Sequence, residues 1–359
     1  MQPPTLNLKP VDRTSFSSKR PARRPVPDAR QVDPVNNVRP TWEYMASKDG
    51  RDRNLIIMLH GVGDTERPFF QLAQKWQLPG TCILSLRGFF QVPLMDFPSY
   101  SYLPISMTHY LSPDPPPIPT KDQLKALQEV TLPLLKNILR YLVRDPSEGE
   151  KKKETVIGKD NTPMGCGCGW DPEEIHLFGW GEGGTIGLEL GRSVALSSSS
   201  PSASASPSPS TSSTTKNQDG NGNGNGQEKE DKDRDSKRIN RLGSVISISG
   251  DLYSTPSVGA KDLGGETPVL YFHRPRPSSN SAPSDSPSWL KRTFAHPQTI
   301  SAKFSPVAAQ QDEKGRDIRM PEGREEWEGV MRFWSEVLVR PGMEETSSSM
   351  AGEVYEVVR

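Results

Sequence analysis

The chain has 359 residues, of which 44 are basic and 44 acidic, so its formal charge at pH 7 is zero. This balance gives no global electrostatic signal for nucleic acid or for an anionic membrane surface. Three cysteines do not make a disulfide framework, and no apolar run approaches the ~20 residues that span a bilayer. The start has no apolar core of signal-peptide length. We therefore expect a cytoplasmic protein without a transmembrane segment.

The first 40 residues are rich in proline, arginine and serine and have no hydrophobic periodicity. This composition predicts a disordered basic arm over 1–40. The arm contains a cluster formed by Lys19, Arg20, Arg23 and Arg24. Such a cluster occurs in nuclear-import signals, although an incidental solvated tail has the same composition.

Apolar runs alternate with helical periodicities through the rest of the chain. Buried strands are predicted at 54–60, 81–86, 175–178, 244–249, 268–272 and 299–304. Amphipathic helices are predicted at 65–77, 121–143, 182–193 and 325–339. Strands joined by crossovers of this length predict an α/β fold with a mostly parallel, doubly wound sheet. Ligands of such sheets bind at the carboxyl ends of the strands.

Two segments interrupt or follow this pattern. Residues 196–240 are serine- and proline-rich, then glycine- and asparagine-rich, then alternately charged, which predicts a disordered low-complexity insert. Residues 343–359 form a tail. The prediction is one folded domain made of 41–195 and 241–342.

The segment from Glu174 to Ser193 is typical of a strand, a sharp glycine turn and a helix. In α/β-hydrolases this turn is the nucleophile elbow, Gly-x-Ser-x-Gly. Here the pattern is Gly179-Trp180-Gly181-Glu182-Gly183, with glycine at the place of the serine. An elbow without a hydroxyl cannot form an acyl-enzyme by the usual route.

Several strand ends resemble one family, the acyl-protein thioesterases and carboxylesterases (phospholipase/carboxylesterase family) of the α/β-hydrolases. Leu59 to Thr65 (LHGVGDT) is similar to its LHGLGDT segment, and 175–184 is similar to its elbow strand, usually GFSQGG. Residues 248–252 (ISGDL) resemble its SG-x-L segment, and 267–273 resembles the strand before its acidic loop. The matches span roughly 55–273, with the insert between them. The resemblance implies an α/β-hydrolase fold and a hydrolase of esters or thioesters.

The same resemblance implies a triad of serine, histidine and acid, with an oxyanion hole formed by the backbone N–H groups of Val62 and Glu182. Gly181 stands at the serine position. The acid is expected after His273, where the chain reads Arg-Pro-Arg-Pro, and the histidine is expected in 319–324, which contains none. No catalytic triad residue is intact. This predicts a pseudo-hydrolase that binds an acyl ligand or a protein partner.

An alternative is an active ester or thioester hydrolase that uses relocated groups, for which His273 and Glu182 are the candidates. Glu182, where glutamine is usual, is either a new acid in the pocket or a surface-facing turn residue. A third hypothesis is dinucleotide binding, since Gly179-x-Gly181-x-x-Gly184 follows a strand and opens a helix. The acidic strand end that should follow about 20 residues later is missing, which disfavours it.

For the remaining candidate residues we expect structural roles or exposure to solvent. His60 is expected to be structural within the oxyanion loop, His176 to pack within a strand, and His109 and His296 to be solvated. Trp180 is expected to pack or to line an acyl groove, and Asp64 to cap the following helix or brace the turn. Cys166 and Cys168 lie in Gly-Cys-Gly-Cys-Gly, which favours a glycine-rich loop because a zinc site needs about four ligands. No cofactor and no metal are expected.

Overall fold

The computed structural model describes residues 7–10, 23–107, 119–146, 167–198, 239–253, 266–275, 287–303, 318–339 and 355–358. Most of the predicted insert and most of the predicted tail lie outside these residues, as do 1–6 and 11–22 of the predicted arm. Within the described residues, no helix combines the length and the apolar character needed to cross a membrane.

A seven-stranded sheet forms the centre of the domain. Its strands in chain order are β1 Trp42–Met45, β2 Asn54–Leu59, β3 Thr81–Leu86, β4 Ile175–Trp180, β5 Ser244–Ile248, β6 Val269–His273 and β7 Pro297–Ser301. Their order across the sheet is β7-β6-β5-β4-β2-β3-β1. All neighbours are parallel except β1, which runs antiparallel to β3. The predicted mostly parallel sheet is confirmed.

In the part of the chain that the structure describes, five α-helices accompany the sheet. They are α1 Glu66–Trp76, α2 Lys121–Val143, α3 Glu182–Ser198, α4 Ser288–Thr293 and α5 Gly323–Val337. Helix α2 contains one π-helical segment at Leu127–Thr131. A capping box at Thr120 and Gln123 begins α2, because each side chain accepts the other residue's backbone N–H.

Helices cover both faces of the sheet, which explains why the central strands are buried along their whole length. All six residues of β2 and of β3 are buried. On one face, α1 and α5 contribute Phe69, Phe333 and Trp334 to a core that includes Phe178. Helices α2 and α3 supply the other face.

Two short antiparallel pairs lie outside the main sheet. Asn7–Pro10 pairs with Tyr355–Val358, so the described parts of the arm and the tail meet. Phe90–Gln91 pairs with Tyr100–Ser101, which folds the segment after β3 into a hairpin. An isolated bridge between Asp64 and Tyr100 connects this hairpin to the loop after β2.

The folded domain begins earlier in the chain than the sequence predicted, because residues 23–40 pack against it. The Arg24 backbone N–H donates to Asp52 at 3.0 Å, and its guanidinium pairs with Glu174 at 2.8 Å and lies 5.0 Å from the Trp170 ring centroid. Val32 is buried in the core. Arg24 therefore has a structural role in place of the solvated tail predicted for its cluster. Its partners lie up to 150 residues away, so no local pattern could reveal them.

Candidate functional site

The predicted corner of strand, glycine turn and helix is present at the carboxyl end of β4. Strand β4 ends at Trp180, Gly181 has φ of +54°, and α3 begins at Glu182. A Cβ built on Gly181 meets no atom within 4 Å, so a side chain there would enter open space. In a positive-φ conformation a non-glycine residue costs roughly 1–3 kcal/mol. The backbone thus has the shape of a nucleophile elbow, and the side chain is missing.

Close packing holds this corner against the neighbouring strand. A Cβ on Gly179 would lie 2.2 Å from the Gly183 carbonyl oxygen, and one on Gly183 would lie 2.3 Å from the Leu59 carbonyl oxygen. The Gly181 N–H donates to the Ile248 carbonyl at 2.8 Å. The turn therefore lies directly between the ends of β2 and β5.

The loop after β2 is braced by backbone hydrogen bonds to the hairpin. The Gly63 N–H donates to the Tyr100 carbonyl, and the Tyr100 N–H donates to the Asp64 carbonyl, each at 3.0 Å. The Asp64 carboxylate accepts the Thr65 N–H at 2.8 Å, so Asp64 braces the turn and does not cap α1. Among the described residues the Val62 N–H makes no hydrogen bond, and the Val62 side chain is 49% exposed.

His60 is structural, as expected. Its ring is buried, Nε2 accepts the Gly88 N–H at 2.8 Å, and Nδ1 lies 2.7 Å from the Gly61 carbonyl. An Nε2 that accepts requires the proton on Nδ1, which then donates to Gly61. Burial lowers the pKa of His60 below its ordinary value, in agreement with a neutral ring.

Glu182 faces the protein interior. Both carboxyl oxygens lie 2.9 Å from Ser101 Oγ, and the Tyr102 N–H donates to Oε2 at 2.8 Å. Burial raises the pKa of Glu182 to about 7. Of the two interpretations, the surface-facing turn residue does not describe this geometry. The carboxyl group belongs to the support of the hairpin.

Arg274 connects the two segments in which the family resemblance places the catalytic acid and the catalytic histidine. Arg274 follows β6 directly and is buried; its guanidinium pairs with Glu326 on α5 and lies 5.1 Å from the Phe272 ring centroid. Its Nη1 donates to the Arg319 carbonyl at 2.5 Å, and its Nη2 donates to the Met320 carbonyl at 3.1 Å. We call these contacts the arginine clamp. They connect the end of β6 to the segment 318–322 before α5.

Trp180 donates a hydrogen bond to the same segment and lines a cleft. The indole N–H donates to the Ile318 carbonyl, and the ring stacks on Phe69 with a centroid separation of 6.1 Å. The cleft has a volume of about 340 Å³, comparable to small-molecule sites. Its walls come from the loop after β2, from α1 and from the segment before α5; the lining residues are Asp64, Pro68, Phe69, Leu72, Trp180, Arg319, Met320 and Glu322.

His273 lies on β6, and its hydrogen-bond partner lies on β7, the strand farther from the elbow. Its Nε2 lies 3.0 Å from Ser301 Oγ on β7, and its ring centroid is 4.9 Å from that of Tyr271. Two strand spacings of about 4.8 Å each separate β6 from β4. The structure therefore does not bring His273 and Gly181 together. The partner Ser301 had no sequence signal, because only the strand register makes the two residues neighbours.

The other candidates are accounted for as follows. His176 is buried, its Nδ1 lies 2.9 Å from Ser244 Oγ, and burial lowers its pKa to about 3. His296 is exposed. Cys168 is buried, and burial raises the pKa of its thiol to about 11. His109 and Cys166 lie outside the described residues. The described part of the chain contains no group of three or more His, Cys, Asp or Glu residues placed to hold a metal.

The sheet order, the antiparallel edge strand and the Gly181 corner define an α/β-hydrolase fold. No family model matches the chain. An uncharacterized hydrolase of Mycosarcoma maydis is 28% identical over 326 residues, which cover 88% of this chain and 91% of that protein. An uncharacterized hydrolase of Schizosaccharomyces pombe is 37% identical over 65 residues, or 18% of this chain and 27% of that protein.

Similar solved structures include esterases and thioesterases. Zea mays acyl-protein thioesterase 2 is 12% identical with a TM-score of 0.39, covering 83% of this chain and 99% of that chain. A phospholipase/carboxylesterase from Dyadobacter fermentans is 14% identical with a TM-score of 0.38, covering 77% and 94%. Esterase PE8 is 13% identical with a TM-score of 0.42, covering 83% and 99%. The predicted fold class is confirmed by the order of the strands and by the corner at Gly181.

Proposed function

We propose that this chain is a carboxylesterase- and thioesterase-like domain that does not hydrolyse esters at its elbow and uses the cleft to bind an acyl ligand or a protein partner, in the cytoplasm. The observation that carries the proposal is the side-chain-free elbow at Gly181. Acyl transfer requires a serine nucleophile at this position. Gly181 occupies it and has no side chain that could act as the nucleophile.

The arginine clamp supports the same proposal. In a working triad the acid orients the histidine, and the histidine activates the serine. Here the residue after β6 is a guanidinium, which carries a positive charge and cannot accept a proton. It is used to hold backbone carbonyls of Arg319 and Met320. Within the described residues, a hydroxyl added at Gly181 would therefore find no base in the segments that the clamp connects.

Without a nucleophile at the elbow, the cleft is the feature of this region that could bind a ligand. The rings of Phe69 and Trp180 and the side chains of Leu72 and Met320 offer apolar surface to a hydrocarbon chain, and Asp64, Arg319 and Glu322 add charged groups that could contact a polar head. The N–H of Val62, which makes no hydrogen bond within the described residues, would be available to a carbonyl or carboxylate oxygen. Oxyanion donors can thus persist as a binding feature without a nucleophile.

Binding is tested by isothermal titration with decanoate and with its methyl ester. Leu72→Glu, which places a charge in the cleft, is expected to weaken binding at least about tenfold, or roughly 1.4 kcal/mol. The matched control is Leu196→Glu, since Leu196 is exposed near the far end of α3 and does not line the cleft. Equal binding by both variants would exclude the cleft as the acyl site. Absence of binding by the unmodified protein would leave the protein-partner form of the proposal.

The alternative function, hydrolysis by relocated groups, has one specific observation in its favour. Ser301 Oγ and His273 Nε2 are within hydrogen-bond distance, as a nucleophile and its base would be. His273 lies two strand spacings and Ser301 three strand spacings from the elbow strand, roughly 10 and 14 Å, so the elbow N–H groups could not serve that pair. Turnover of p-nitrophenyl acetate that falls to the level of a blank in both Ser301→Ala and His273→Ala would favour this alternative. Turnover unchanged in both variants would dismiss it.

Dinucleotide binding at the glycine turn is tested by titration with NADH. We expect no fluorescence enhancement, because Gly179 and Gly183 are used for packing and the carboxyl group of Glu182 occupies the start of the helix. Saturable enhancement would revive that hypothesis.

A further inference from the structure

Ser249 follows β5 directly and combines two features that are each unfavourable for folding. Its φ is +58°, in the left-handed region, and within the described residues its buried Oγ has no hydrogen-bond partner. Ser249 is only 8% exposed. The other non-glycine residues of the described chain with a positive φ are all exposed; they are Asn36, Asn37, Gln77 and Leu94. Ser249 therefore differs from an ordinary surface turn residue.

Both features have a cost, and the neighbouring serine avoids one of them. A non-glycine residue at positive φ is strained, and a glycine would remove the strain. A buried hydroxyl without a partner lowers the folding equilibrium constant by roughly tenfold or more. Ser247, two residues earlier, is satisfied because its Oγ donates to the Gly250 carbonyl at 2.8 Å. Backbone strain and an unsatisfied buried polar group are features that occur together at functional sites.

Ser249 lies beside the Gly181 corner. The Gly181 N–H donates to the Ile248 carbonyl at 2.8 Å, and a Cβ on Gly250 would lie 2.5 Å from the Gly181 carbonyl oxygen. The residues on both sides of Ser249 thus contact Gly181. The Gly181 position opens on space, because a Cβ there meets no atom within 4 Å, and the preceding Trp180 lines the cleft. A ligand oxygen in this space can supply the acceptor that the Ser249 hydroxyl lacks.

The charges of the cleft favour an uncharged head group on that ligand. Arg319, the cationic residue of the lining, pairs with Glu322 at 2.9 Å. Among the described residues, the Asp64 carboxylate has no cationic partner. A carboxylate ligand would therefore meet an unpaired negative charge in the cleft, which repels it. A neutral carbonyl oxygen accepts a hydrogen bond without this repulsion.

We propose that Ser249 is a ligand-binding residue whose hydroxyl donates to the carbonyl oxygen of a neutral acyl ligand, an ester or a thioester, in the space beside Gly181. The inference rests on the proposed use of the cleft to bind an acyl chain. It assigns Ser249 no nucleophilic role, because no base contacts its hydroxyl within the described residues. The two unfavourable features of Ser249 are then costs to folding that serve ligand binding.

Ser249→Ala is the direct test, with Ser247→Ala as the matched control. In isothermal titration, the unmodified protein should bind methyl decanoate at least about fivefold more tightly than decanoate. Ser249→Ala should weaken binding of methyl decanoate at least about fivefold through the loss of one hydrogen bond, whereas Ser247→Ala should bind it within about twofold of the unmodified protein.

The outcomes of the titration separate this inference from the proposed function. Equal binding of methyl decanoate by Ser249→Ala and by the unmodified protein would overturn the inference and leave the cleft as the acyl site. Tighter binding of decanoate than of its ester would contradict the neutral head group. If the unmodified protein bound neither compound, the acyl-binding form of the proposed function would fail, and this inference with it.

Urea unfolding distinguishes a ligand-binding role from a structural one. Ser249→Ala removes an unsatisfied hydroxyl and should leave the unfolding constant unchanged or lower it, whereas Ser247→Ala should raise it about fivefold. Ser249→Gly also relieves the positive φ, so it should be more stable than Ser249→Ala while binding methyl decanoate as weakly. A rise in the unfolding constant of Ser249→Ala as large as that of Ser247→Ala, or failure of Ser249→Ala alone to fold, would overturn the inference.

Discussion

Replacement of Arg274 should cost far more stability than replacement of an arginine elsewhere in the same region. The Arg274 side chain is 1% exposed and that of Glu326 is 22% exposed. Removing one partner of a buried pair costs about 3–5 kcal/mol, and the partial exposure of Glu326 allows water to recover some of this. The Arg319 and Met320 carbonyls also lose their donors, but both residues are half-buried, so water replaces most of these hydrogen bonds. For Arg274→Met we expect a loss of about 2–4 kcal/mol in the free energy of unfolding.

The matched control is Arg332→Met. Arg332 pairs with Glu328 within α5, and these side chains are 70% and 60% exposed. Such a pair contributes about 0.5 kcal/mol or less. Both variants are compared by urea unfolding, with hydrogen exchange of 318–322 as a local probe. A cost below about 1 kcal/mol for Arg274→Met, or equal costs in the two variants, would refute the claim that the clamp organises the wall of the cleft.

Three further predictions concern the elbow and a buried histidine. Gly181→Ser should fold with a loss of roughly 1–2 kcal/mol, because there is space for the side chain but φ is positive; it should not gain esterase activity, which a p-nitrophenyl acetate assay checks. Gly179→Ala should abolish soluble expression because its Cβ would overlap the Gly183 carbonyl, whereas Gly187→Ala on α3, with ordinary 3.5 Å contacts, should change stability by about 1 kcal/mol or less. His176 has a folded pKa of about 3, below the ordinary 6.5, so the unfolded state binds the proton more readily. Stability should therefore fall as pH drops from about 6.5 toward 3, and His176→Asn should reduce that slope in urea unfolding.

The fold could be read from the sequence because its signals are local. The apolar runs of β2 and β3 are buried along their whole length, as continuous hydrophobic strands predict. The helix over 121–143 was indicated by its apolar periodicity, whereas the capping box of Thr120 and Gln123 was found only in the structure. The antiparallel strand β1 had no such signal, since its four residues are only half-buried at the sheet edge.

The site was predictable in its backbone but not in its contacts. The glycine pattern predicts the Gly181 corner, because a Cβ on Gly179 or Gly183 would overlap neighbouring backbone atoms and because Gly181 has a positive φ. The inward orientation of Glu182, the arginine clamp and the neighbour of His273 depend on partners 28 to 81 residues away in the chain. Such pairings require the strand order and register, which composition and spacing do not determine. The packing of 23–40 was missed for the same reason.

The central claim is that the elbow of this α/β-hydrolase fold has no nucleophile. Its most direct test is intact-protein mass spectrometry after incubation with a fluorophosphonate that reacts with activated serines, beside an active carboxylesterase as the positive control. The account predicts no mass increase for this protein while the control is fully modified. Stoichiometric addition, mapped by peptide sequencing to a serine beside the Gly181 corner, would contradict it.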